Sequence, residues 1–138
     1  MWVSYLPRII LVLAVMSFGN IGLIYLIEPA LIGHLGVELT EPAGLTSVRV
    51  GIGAFHLSVA LIALYCVASR ERVLGGLAIA ATITGAVVAT RLGGLVATGF
   101  NEQVVGLMTP EALSLLIYAG GALLELRLQG AVTTGMHS

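Results

Sequence analysis

The sequence predicts an all-α integral membrane protein, an antiparallel four-helix bundle with both termini in the cytoplasm, and three observations predict it. Apolar residues make up 58% of the 138 and charged residues only 9%, with a mean hydropathy of +1.06, whereas soluble domains carry roughly a quarter charged residues. Four apolar stretches, near 9–27, 47–68, 73–97 and 111–127, approach the roughly 20 residues a helix needs to cross the hydrocarbon layer. Arg8, Arg70, Arg72 and Arg127 fall on one set of span ends, and Glu28, Glu38, Glu41, Glu102 and Glu111 fall on the other.

Positive residues near span ends stay cytoplasmic. An even number of spans with both termini inside satisfies all four arginines at once, which turns the acidic connections outward. The spans and their connections fill residues 1–128, so a soluble domain has no room, and 129–138 reads as a flexible polar tail.

The first span follows Arg8. Its apolar run is long and lacks a small-x-small cleavage site before a polar mature start, so it reads as an uncleaved span rather than a secretory signal. The connection 28–46 carries Pro29, Pro42, Gly33, Gly36 and Gly44, with Leu31, Ile32, Leu35 and Leu39 between them, which fits a short amphipathic helix at the interface. The second span then opens near Ser47.

Ser69-Arg70-Glu71-Arg72 is too short to separate the second and third spans, so the two are neighbours. In the third span Ala81, Gly85, Ala89, Gly93 and Ala97 recur every four residues and form a small-xxx-small seam. Such seams let helix backbones approach in lipid, within one chain, in a homo-oligomer or in a larger membrane complex; the bland alternative is the general abundance of Ala and Gly in spans. Before the fourth span, Thr109-Pro110-Glu111 reads as an N-cap, a proline at the first helical position and an acid in the positive first turn.

Net charge of −1 gives no basic field for nucleic acid. Cys66 is the only cysteine, which excludes an intrachain disulfide and a thiolate metal cage. His34, His56 and His137 fall in a loop, a span and the tail, a poor pattern for zinc, and a haem held by His56 alone has little behind it; no metal and no cofactor is expected. Phosphate-loop and dinucleotide signatures are missing, and the chain has no Asp.

Polar residues inside spans are few and costly if they face lipid. Asn20 lies seven residues below Ile27, Arg91 seven below Thr98, His56 nine below Ser47 and Tyr118 eight into the fourth span. At about 1.5 Å per residue these offsets place all four roughly 10–14 Å beneath the outer boundary. Arg49 lies higher, two turns from His56 and nominally on the same face, within reach of Glu28, Glu38 or Glu41.

The functional reading is a polar pocket in the outer half, with Asn20, Arg49, His56, Arg91 and Tyr118 as ligand-binding residues and His56 as the one group suited to catalytic proton transfer near neutral pH. The structural alternative has the arginines reaching the headgroups or pairing with Glu28 and Glu102, and His56 and Asn20 hydrogen-bonding between helices. Glu125, at the inner end of the fourth span, stands apart from this layer.

Glu28-Pro29 after the first span, Leu35-Gly36 in the connection, Arg49-Val50-Gly51-Ile52-Gly53 at the head of the second span and Arg91-Leu92-Gly93 late in the third give the chain a pattern. Over roughly residues 9–126 it resembles the bacterial membrane proteins grouped as domain of unknown function 4345. Gly51 and Gly53 are separated and Gly99-Phe100-Asn101 fills the third turn, where the family pairs the glycines and carries an acidic-glycine turn. The resemblance implies a small four-span protein of the bacterial cytoplasmic (inner) membrane and no established activity.

Three functions follow from these residues. The first is a module that binds a membrane lipid or hydrophobic small molecule, or serves as an accessory subunit of a membrane complex. The second is a small enzyme, an isomerase, cyclase or hydrolase on an apolar substrate, with His56 as acid and base and an arginine stabilising developing negative charge. The third, a transporter, lacks an inverted repeat or a broken span with a central carboxylate.

Overall fold

A computed structural model describes residues 2–39 and 41–135, helical apart from the short connections between helices; His137 lies outside them. Four helices are long and apolar enough to cross a membrane, Val3–Ile27, Pro42–Val67, Arg70–Thr98 and Glu102–Ala131. No more than 28% of the most apolar window of any of them is buried within the chain. Leu13, Met16, Leu61, Tyr65, Val96 and Leu116 are each more than half exposed. Apolar surface of this kind demands an apolar solvent, and the protein is an integral membrane protein.

After a short 3₁₀ turn, Trp2–Tyr5, helix α1 runs Leu6–Ile27. The connection then folds as a 3₁₀ segment, Pro29–Leu35, that buries Pro29 and Ile32 and ends at Gly36, whose φ of 79° suits glycine. A short helix in this connection matches the sequence pattern. The second span starts earlier than expected, at Pro42, and is composite: α2 (Pro42–Val48), a π-helical segment (Arg49–Ala54) and α3 (Phe55–Val67). Pro42 is placed where its missing N–H costs nothing.

A 3₁₀ turn, Arg70–Arg72, leads directly into α4 (Val73–Thr98), which Gly99 terminates at φ 90°. Helix α5 runs Glu102–Gly135. Its cap is Asn101, whose Oδ1 accepts the Val104 backbone N–H at 3.1 Å. The expected start at Thr109 is therefore wrong: Pro110 sits inside the helix, and the Thr109 hydroxyl donates to the Val105 carbonyl. Proline forfeits the bond to residue i−4 and presses on that carbonyl. Here that residue is Gly106, and membrane helices tolerate the lost bond where hydroxyls and neighbours re-satisfy the backbone. The expected tail is also helical from Gln129 as far as Gly135.

The chain divides into two compact units, one formed by residues up to Leu11 with those from Cys66 onward, the other by Val12–Tyr65. In the first, Leu11, Val73, Leu77 and Tyr118 are buried. Gly76 lets α4 approach the end of α3, because a Cβ there would lie 2.7 Å from the Cys66 Cβ. Helices α4 and α5 touch at Gly85 with Leu115 and at Gly121 with Leu77.

In the second unit, Ala14, Phe18, Val59, Ala60 and Ala63 are buried. The tight point is Gly22, where a Cβ would stand 2.6 Å from the Leu57 backbone nitrogen and 3.0 Å from the Gly53 carbonyl oxygen. Backbone approaches backbone there, as small residues permit in lipid.

Within the chain only part of the small-residue seam of α4 is covered. A four-residue step overshoots a 3.6-residue turn by about 40°, so five such residues wind well round the helix. Gly85 meets Leu115, whereas Ala89, Gly93 and Ala97 are exposed. The face of α4 buried within the chain is Val73, Gly76, Leu77, Ala80 and Thr84.

Candidate functional site

Of the residues expected to form the polar pocket, Asn20, Arg49 and His56 belong to the second unit, while Arg91 and Tyr118 belong to the first. Asn20 lines a groove of about 320 Å³ whose walls include Val15, Gly19, Leu23, Leu57 and Leu61. Its carboxamide makes no hydrogen bond to a described residue. Asn20 is exposed along the groove, and an amide that meets lipid there instead of water carries a desolvation cost of roughly 1–3 kcal/mol on mutational scales.

His56 does not line this groove. Its ring rests on Phe18, centroids 5.9 Å apart, and edge-on to Phe55 at 5.6 Å. Nδ1 lies 2.8 Å from the Ile52 carbonyl oxygen, which can only accept, so Nδ1 donates to it, and in the neutral ring Nε2 then presents its lone pair.

Arg49 and His56 both turn toward α1, Arg49 to Leu26 and the His56 ring to Phe18. Arg49 Nε donates to the Leu26 carbonyl at 3.2 Å, one of the carbonyls orphaned at the end of α1. No ion pair joins it to Glu28, Glu38 or Glu41 among the described residues. A cation at a helix C-terminus is itself stabilising, so this arginine has a structural task.

Arg91 has a carboxylate partner that the sequence reading did not assign. Nε and Nη2 donate to the two oxygens of Glu111 at 2.6 and 2.8 Å, with the side chains 27% and 25% exposed. The fork-to-fork geometry is the strong form of the interaction. The signal was present: Arg91 lies seven residues before the end of α4 and Glu111 nine after the start of α5, across a short turn. Reading Glu111 as a capping acid hid it. Tyr118 is 4% exposed and already engaged with a neighbour.

A second polar cluster of the first unit escaped the sequence reading. Glu125 is 2% exposed, accepts a hydrogen bond from Gln129 Nε2 at 3.1 Å on Oε1, and borders two adjoining cavities with Arg70. Its sequence signal was a lone acid inside Leu123-Leu124-Glu125-Leu126. No group of three His, Cys or Glu side chains suited to a metal occurs among the described residues.

No protein-family model, curated protein or solved structure matches the chain.

Proposed function

We propose that this protein is a non-enzymatic membrane module that binds an amphiphile along the groove of the second unit, with the Asn20 carboxamide holding its polar atom. The observation that carries the reading is the unpartnered amide in an otherwise apolar wall. At about 320 Å³ the groove is at the small end of ligand pockets, the size for one apolar chain rather than a bulky ring system. A ligand carbonyl or hydroxyl there removes the penalty of leaving Asn20 against lipid.

The accompanying topology is a bundle of four spans alternating in direction, both termini cytoplasmic, in a bacterial inner membrane. The arginines of the connections support the orientation. The contacts Leu77 with Gly121, Gly85 with Leu115 and Arg91 with Glu111 support opposite directions for α4 and α5, because one residue number rises as the other falls. Kinship with domain of unknown function 4345 stands on the quoted motifs.

The test uses purified protein in detergent and a pyrene-labelled fatty acid. Saturable binding is expected, weakened by Asn20→Leu and abolished by Gly19→Leu, which places a side chain in the groove. Wild-type binding by both variants refutes the reading.

His56 favours a second reading as a base. Nδ1–H is held by the Ile52 carbonyl, and the Nε2 lone pair remains. Turnover of an apolar substrate that persists unchanged in His56→Gln rules that role out.

A further inference from the structure

We propose that the arginine-bearing end of the first unit binds the phosphoethanolamine headgroup of a membrane lipid, its ammonium on Glu125 and its phosphate on Arg8 and Arg70. This goes beyond the groove reading and concerns a different unit. Two cavities of about 450 and 250 Å³ adjoin here, and Arg70 and Glu125 line both. Ser4, Tyr5, Arg8 and Val73 complete the wall of the smaller, and Glu71, Leu128 and Gln129 that of the larger.

Glu125 is the feature that needs a ligand. Its side chain is 98% buried, counted from its 2% exposure, yet no cationic nitrogen lies within 4.0 Å of its carboxylate among the described residues. The one hydrogen bond it accepts comes from the Gln129 amide onto Oε1, and because no buried side-chain oxygen is left unpaired among the described residues, the second oxygen opens to the cavity. A buried carboxylate is costly unless paired and hydrogen-bonded. The guanidinium groups of Arg8 and Arg70 share the cavity wall but do not close on it, so the cavity keeps one anionic and two cationic stations apart.

A zwitterion whose charges are separated by a short linker matches that arrangement. Guanidinium forks recognise phosphate oxygens. The carboxylate demands N–H donors, which a primary ammonium has and a quaternary one lacks. The location agrees: Arg70 opens one span, Arg8 lies near the start of another, and Glu125 lies in the C-terminal third of the helix Glu102–Gly135, so all three fall at the same end of their helices as the cavities.

The experiment measures lipid retained by the purified full chain, by native mass spectrometry, after exposure to equimolar dioleoyl lipids. The headgroups are phosphatidylethanolamine, its N-methyl and N,N-dimethyl derivatives, phosphatidylcholine and phosphatidylglycerol. Wild-type retention is expected to fall stepwise with N-methylation, by about tenfold overall, the equivalent of one charge-assisted hydrogen bond. Phosphatidylglycerol, which offers no ammonium, should be retained no better than phosphatidylcholine.

Glu125→Gln is expected to erase the preference for ethanolamine over choline, and the double variant Arg8→Gln/Arg70→Gln to reduce retention of both. Retention indifferent to N-methylation in the wild type overturns the proposal without relying on any variant. So does an undiminished ethanolamine preference in folded Glu125→Gln. Displacement of the lipid by soluble O-phosphoethanolamine at the lipid's own concentration overturns its lipid half, since a membrane ligand draws on its acyl chains. Fatty-acid binding by the Asn20 groove is read separately, so the two proposals fail independently.

Discussion

The ion pair between Arg91 and Glu111 ties α4 to α5 at a depth where a lost partner is expensive, and a double-mutant cycle measures it. Interhelical hydrogen bonds in membrane proteins contribute about 0.6 kcal/mol each, up to about 1.7, and charge-assisted bonds are about twice as strong. Two such bonds, at 2.6 and 2.8 Å between side chains about a quarter exposed, give an expected coupling of about 2–3 kcal/mol. That exceeds the ~0.2–1 kcal/mol of a solvated surface pair.

Arg91→Ala, Glu111→Ala and the double variant are unfolded with sodium dodecyl sulfate in mixed micelles and followed by circular dichroism. Each single variant should lose about 2–3 kcal/mol, and the double variant little more than either. Arg91→Lys keeps the charge but not the fork, so it should recover only part of the loss. Additivity of the two single effects within about 0.5 kcal/mol means no coupling, and it refutes the pair as a tie between the helices.

Gly22→Ala puts a methyl 2.6 Å from a backbone nitrogen that no rotamer can move aside, and should cost about 1–3 kcal/mol by overpacking; wild-type unfolding of that variant contradicts the crossing. Asn101→Ala removes the cap of α5 and should cost about 1 kcal/mol, read as lower hydrogen-exchange protection over 102–106 with the rest of the helix unchanged. Pro110→Ala restores an N–H facing the Gly106 carbonyl and should raise the midpoint of unfolding; a lowered midpoint shows that the proline is needed where it stands.

Membrane residence and the four spans were legible from composition and run length, because in lipid every backbone group must be satisfied within its own helix or barrel. The connection Arg70–Arg72 and the short helix after α1 were legible for local reasons as well. Helix boundaries were not. Thr109-Pro110-Glu111 carries the marks of a helix start, yet Asn101-Glu102 carries them too, and the Asn101 cap marks the start that forms.

The polar residues divide along the same line. Depth follows from counting at 1.5 Å per residue, so the sequence by itself determined that Asn20, His56, Arg91 and Tyr118 sit well inside their spans. Which way each side chain turns depends on helix rotation, and through the π-helical segment Arg49–Ala54 it took Arg49 to the Leu26 carbonyl and the His56 ring to Phe18. Partnership depends on the neighbouring helix: it gave Arg91 to Glu111, left Asn20 facing a groove, and buried Glu125 beside two arginines that do not reach it. A linear pattern fixes the distance along an axis, whereas azimuth and contact are properties of two helices at once, and only the tertiary structure decided them.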